Sequence, residues 1–276
     1  MNYVKTFGLM ALMTALFVAV AGWFGGRSAM MIALAFAAIF NFGAYWFSDR
    51  VVLRMYRARP LERHEAPGLY DMIDGLRQRA GLPMPAVAVS ASSQPNAFAT
   101  GRDPAHAAVC VTQGMLSVAD ADELAGVIGH ELAHIKNRDM LIGTVAATLS
   151  AAVVMLARLG FWFGGDDNRG GLIGGLLMMV LAPIAAMLIQ MAISRAGEYR
   201  ADRVGAEISG RPAALASALQ KLETEARRRP MELNPSAAHL AIVNPLRAGG
   251  LSGLFRTHPP TEERVRRLEE IARRGV

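Results

Sequence analysis

Four apolar segments dominate this chain: Phe7 to Phe24, Ala29 to Phe47, Leu141 to Phe163 and Leu172 to Ile193. Each is close to the roughly 20 residues a helix needs to cross about 30 Å of hydrocarbon. A chain with four such segments must bury them in lipid or in an unusually large core. The composition, 53% apolar and only 19% charged with a mean hydropathy of +0.27, points to lipid. The first segment follows Lys5 and holds "AVA" at Ala19 to Ala21, like a cleavable signal. Its apolar core exceeds the roughly 7–15 residues of a signal and a second segment follows almost at once, so a retained anchor is expected.

Lys and Arg set the expected orientation. Ten lie between Ser48 and Asp139 and fifteen between Ser194 and Val276, whereas the short connections around Arg27 and Arg169 hold one each. The positive-inside rule then places both termini and the large middle region in the cytoplasm. The expected organisation is a transmembrane hairpin over 1–47, a cytoplasmic part over 48–140, a second transmembrane hairpin over 141–193 and a second cytoplasmic part over 194–276. Trp23-Phe24, Tyr45-Trp46 and Phe161-Trp162 fall at segment ends, where interfacial aromatics belong. The net charge of +6 suits an anionic membrane face, and with no nucleic-acid motif present no nucleic-acid partner is expected.

Smaller features read as structure. "GGDDNRGG" lacks the Lys-Ser/Thr ending of a phosphate loop and is a turn; Gly171, Gly175 and Pro183 read as helix packing and a kink. Leu69, Met72, Ile73 and Leu76 have helical spacing, and "AGLP" with Gly81 ends that helix. Ala86 to Ser90, Ala97 to Thr100 and Ala107 to Thr112 are short, with alternating Val87/Val89 and Val109/Val111, and predict a small antiparallel sheet. The lone cysteine, Cys110, excludes an intrachain disulfide and is expected as a small core residue. His64, His106 and His239 read as surface or satisfied-core residues.

The chemistry lies in "GHELAH". Residues four apart share a helical face, so His130 and His134 can present both imidazoles to one ion. Glu131, beside the first, can accept a proton from water that the ion activates. Such a site needs a third protein ligand. In "SRAGEYRADRVGAE", Glu198 and Asp202 are again four apart: Glu198 could bind the ion while Asp202 orients a histidine through its outer nitrogen. The plainer alternative is a solvated helix pairing Glu198 with Arg195 or Asp202 with Arg203. Sixty-three residues lie between His134 and Glu198, mostly in two apolar segments, so a joint site would sit at the polar ends of one hairpin.

"NAFATG", "HELAHIKNRD", "EYRAD" and "THPPTEERVRRL" together resemble the HtpX membrane zinc proteases, bacterial relatives of the CAAX prenyl proteases, over nearly the whole chain. The resemblance implies one zinc ion per subunit, held by His130, His134 and Glu198, with Glu131 as general base. It also points to Asn96, His258 and Arg264 as groups facing the scissile peptide and its tetrahedral intermediate, where an oxyanion needs donors. The plainer alternatives are that Asn96 after Pro95 is a turn residue and that "HPPTEER" is a helix start with a Thr cap.

The fold class expected is a mainly α integral membrane protein with about four transmembrane helices, a cytoplasmic thermolysin-like (gluzincin) helical metalloprotease domain and a small β-sheet. The implied task is hydrolysis of misfolded or damaged membrane proteins at the cytoplasmic face of the bacterial inner membrane, under stress. Partners would be the lipid bilayer and membrane-protein substrates, with a homo-oligomer left open. A membrane-anchored zinc adaptor or sensor would need the ligands but not Glu131. A transporter would bury ionisable residues in its spans, and these hold little beyond Asn41, Arg158 and Gln190.

Overall fold

A computed structural model describes residues 2–149, 195–228, 240–242 and 259–275. Helix α1 (Asn2–Met55) consists of two arms joined at Gly26, whose backbone (φ 62°, ψ −155°) suits glycine alone. The arms pack through Leu9, Met10 and Met13 on one side and Phe40, Ala44 and Tyr45 on the other. Asn41 donates to Thr14 Oγ1 at 2.8 Å, so this polar side chain is satisfied between the arms. Phe7, Met31, Ile32, Ile39 and Phe42 point outward and exposed. The second arm, Gly26–Met55, is long and apolar enough to cross a membrane. Apolar surface of this extent is stable against lipid rather than water.

After the sheet and three further helices, α5 (Met140–Leu149) carries the first residues of the third apolar segment. Leu141, Val145, Ala146 and Leu149 pack on the α1 arms. The remainder of that segment, the "GGDDNRGG" tip and the fourth segment with Gly171, Gly175 and Pro183 lie outside the described residues, as does His239.

The sheet has strands β1 (Ala58–Pro60), β2 (Ala86–Ser90), β3 (Ala97–Gly101) and β4 (Ala107–Thr112) in the order β1-β2-β4-β3. It is mixed, which corrects the antiparallel expectation: β2 and β4 are parallel, with Val87 opposite Val109 and Val89 opposite Val111. Only β3 with β4 and β1 with β2 are antiparallel. Alternating valines mark which face of a strand is buried and carry no information about its direction. Direction is set by the β3–β4 hairpin, which folds back so that β4 inserts between β2 and β3. β1 was not expected, being three residues long and ending in Pro60, a residue tolerated at a sheet edge.

Both faces of the sheet are covered. Val87, Ala97, Ala99, Val109 and Val111 join the main core with α2 (Pro67–Ala80) and α4 (Ala121–Asn137). Ala88, Phe98 and Cys110 face Val52 and Tyr56 at the end of α1 and Ala147 of α5. Burial pushes the Cys110 thiol up to about 12, as suits an inert core residue. Gly81 caps α2 in the left-handed conformation (φ 69°), as "AGLP" predicted.

The short α3 (Gln113–Val118) leads into α4, which starts with a capping box formed by Asp120 and Glu123. Beyond it lie α6 (Arg195–Ser209), α7 (Pro212–Arg228) and α8 (Thr261–Arg274). In α8 the cap residue is Pro260, with no side-chain cap bond, and Thr261 is already helical, so the plainer alternative of a Thr cap does not hold. Pro260 fixes the entry geometry that a Thr side chain would otherwise supply.

Candidate metal centre

The centre is built where α4 and α6 cross at backbone contact. A Cβ on Gly205 would lie 2.7 Å from both N and Cα of His130, and one on Gly129 would lie 2.8 Å from the Gly205 carbonyl oxygen. Glu198, Asp202 and Gly205 follow one another on one face of α6. The glycine contact therefore sets Glu198 and Asp202 directly against the histidines of α4. Gly205→Ala is expected to force the helices apart, costing about 1–3 kcal/mol and lowering the metal content of the purified protein. Wild-type metal content and melting temperature in this variant would contradict the close crossing.

His130 Nε2 and His134 Nε2 are 3.1 Å apart, with rings at 87°. Glu198 Oε1 is 3.5 Å from His134 Nε2, and its Oε2 is 3.9 Å from His130 Nε2. All three ligand atoms lie within 4.8 Å of one another. Tetrahedral coordination at roughly 2.0–2.1 Å separates neighbouring donors by about 3.3 Å, so this set fits a small divalent ion. The plainer alternative of a solvated helix does not describe this arrangement: both carboxylates are buried and turned towards the histidines.

Glu131 is buried beside the ligands, and its Oε2 accepts a 2.8 Å bond from the backbone N–H of Ala99 in β3. Burial raises its pKa above the ordinary carboxylate range, although His130 and His134 oppose the shift. β3 is the edge strand. Thr112 N donates to Asn96 O, which turns Asn96, Phe98 and Thr100 towards β4 and leaves Ala97, Ala99 and Gly101 directed to the side that no strand pairs among the described residues, where Glu131 takes the Ala99 N–H.

Behind the ligands, His130 Nδ1 stands 3.0 Å from Asp202 Oδ1 and has no better-aimed partner among the described residues. Asp202 is gripped by Arg264 through Nε (2.8 Å) and Nη2 (2.7 Å), while Arg264 Nη1 donates to Ile242 O at 2.9 Å. Burial alone would raise the Asp202 pKa, but the Arg264 guanidinium holds it well below the usual carboxylate range. Arg264 is 1% exposed and its Nη1 lies 3.8 Å from Glu198. Sequence reasoning had Arg264 facing the peptide; its fork is instead filled by Asp202 and Ile242.

Asn96 is also buried. Its Oδ1 accepts from Ile242 N at 3.1 Å, and its Nδ2 lies near the Tyr56 hydroxyl without a well-formed bond. Asn96 and Arg264 thus clasp Ile242 from its two backbone sides. His258 lies outside the described residues. His64 and His106 are exposed, as expected.

Sequence reasoning missed Gly129, Gly205 and Ile242, and also Asp139, whose Oδ2 is 3.6 Å from His134 Nδ1. Burial lowers the His134 pKa, but Asp139, Glu198 and Glu131 outweigh it and push the imidazole up to about 9. A glycine on the Glu198–Asp202 face was the one local signal available for the crossing.

Comparisons with known proteins show the family of the chain. The pattern of peptidase family M48 matches residues 63–272. The Protease HtpX homolog of Salinibacter ruber is 56% identical over 278 residues, covering all of both chains. That of Thermococcus kodakarensis is 54% identical, covering 98% of this chain and 96% of its own. Among solved structures, S. mikatae Ste24p is similar in fold, with TM-score 0.54 and 16% identity. The match takes in 97% of this chain and 65% of that one, so this chain spans about two thirds of its length. A family pattern over most of the chain and full-length relatives above half identity place it: the chain belongs to peptidase family M48, as an HtpX-type membrane metalloprotease.

Proposed function

We propose that this protein is a zinc-dependent endopeptidase that cuts membrane proteins where their polypeptide emerges on the cytoplasmic side of the membrane. The observation that carries this reading is the convergence of His130, His134 and Glu198 beside a buried Glu131, with an apolar helix starting at Met140 just past the end of the histidine helix. Both histidines and Glu198 would hold the zinc, which when bound supplies Lewis acidity to a peptide carbonyl and to water. Glu131, positioned by Ala99 and with its basicity raised by burial, accepts the proton of the attacking water and passes it to the leaving amine.

The side of β3 away from β4, unpaired by any strand among the described residues, takes the substrate backbone as an added strand beside the Ala99 N–H that holds Glu131, giving binding with little demand on sequence. His258 supplies a donor towards the negative charge that develops on the peptide oxygen. Asp202, with Arg264 behind it, orients His130. Asn96 and Arg264 act by holding Ile242 between the substrate strand and the ligands. The membrane arrangement is the four-segment one, with 1–47 and 141–193 as hairpins, 48–140 and 194–276 cytoplasmic, and both ligand-bearing helices at the polar ends of the second hairpin. Lys and Arg are concentrated in the two polar parts, which supports this orientation.

The purified protein in detergent is expected to cleave an unfolded membrane-protein substrate, to stop when a chelator removes the metal, and to resume on adding zinc. In cells, the fragments should carry new ends on the cytoplasmic side. Chelator-resistant cleavage would remove the metal from the mechanism, and ends only on the opposite face would overturn the topology.

A further inference from the structure

The two histidines are supported unequally. His130 leans on Asp202, which is 2% exposed and locked by a two-pronged arginine. His134 leans on Asp139, which lies at the rim with its side chain 17% exposed.

Asp139 reaches His134 because α4 ends abruptly. Arg138 takes the left-handed conformation (φ 57°), its N–H bonds Ile135 O at 3.1 Å, and the Asp139 N–H bonds His134 O at 3.0 Å. The chain turns back on the last helical turn, and the Asp139 carboxylate is carried over the outer nitrogen of His134. Met140, the next residue, begins α5, which leads into the third apolar segment. From α6, Arg200 Nη2 lies 3.4 Å from both Asp139 oxygens, two residues beyond Glu198.

One carboxylate therefore meets the helix that carries both imidazoles, the first residue of an apolar helix and the helix that carries Glu198. We propose that Asp139 is a positioning residue for His134. It orients the imidazole through Nδ1 and, through Arg200, ties together the rims of α4 and α6. At 3.6 Å the Asp139 carboxylate stands a small ring shift away from hydrogen-bond distance to Nδ1. Carboxylates behind metal-bound histidines raise ligand basicity and fix the ring, and their loss costs roughly 10–100-fold in metal affinity.

This inference rests on the reading of His130, His134 and Glu198 as ligands. The test uses the full chain in detergent, with zinc affinity measured by competition against a chelator and the visible spectrum of the cobalt-substituted protein as second readout. Asp139→Asn keeps the size and shape of the side chain and removes the charge. It should melt like wild type, bind zinc roughly 10–100-fold more weakly, shift the cobalt spectrum and lower kcat with KM unchanged. Asp139→Glu should recover part of the affinity and Asp139→Gln, of equal length, should not. Wild-type affinity and spectrum in Asp139→Asn, or equal affinities for the Glu and Gln variants, overturn the proposal, provided that the control His134→Ala has lost its metal. If His134→Ala keeps its metal, the ligand assignment itself fails and this inference falls with it.

Discussion

Glu131→Gln will leave the metal bound and the fold intact while cleavage falls by at least roughly 10²–10⁴-fold, the range that general base catalysis contributes. The reasons are geometric. Gln has the volume of Glu, and its amide oxygen can still accept the Ala99 N–H that now holds Glu131 at 2.8 Å. What is lost is the proton acceptor. Since Glu131 is buried and desolvated, the neutral amide should not reduce stability. Metal content, melting temperature and turnover of a model substrate, measured on one preparation, decide the matter. A metal-loaded Glu131→Gln protein cutting at the wild-type rate would falsify the base assignment.

Arg264→Ala should have the largest structural effect of any single change at the centre. Asp202 and Glu198 are both buried, and the guanidinium is bonded to the first at 2.7 and 2.8 Å and lies 3.8 Å from the second. Without it Asp202 stays ionised in a poor environment, and breaking a buried pair in this way costs about 3–5 kcal/mol. At roughly 2–4 °C per kcal/mol for a chain of this size, the melting temperature should fall by about 10 °C, and metal should be lost as His130 and Glu198 become misaligned. Arg264→Lys should fall between, keeping the charge but not the fork. If Arg264 acted only on substrate, Arg264→Ala would melt like wild type, keep its metal and lose only turnover.

Relations within one segment could be read from the chain. The i, i+4 placement of His130 and His134, the pairing of Glu198 with Asp202 on one face, the Gly81 cap and the positions of β2, β3 and β4 all follow from local periodicity and backbone preference. Strand direction could not be read, because Val87/Val89 and Val109/Val111 look the same in parallel and antiparallel pairing. The partners of Arg264 could not be read either: in "TEERVRRL" helical spacing sets it with Leu268 and Ile271, apart from Arg266 and Arg267, which pair with Glu263 at the surface, but nothing local names Asp202 or Ile242 as what it meets.

Asp139 shows the same boundary from the other side. It stands five residues after His134, off the histidine face of an ideal helix, and reaches the ring only because Arg138 adopts a left-handed backbone that ordinary residues rarely take. The sequence by itself determined the ligand types, their helical spacing and the apolar segments beside them, since these depend on contacts between neighbours along the chain. Tertiary structure alone decided that Gly129 meets Gly205, that Arg264 faces Asp202 and that Asp139 returns to His134. Those contacts join segments through packing, and packing is a property of the whole fold rather than of any stretch within it.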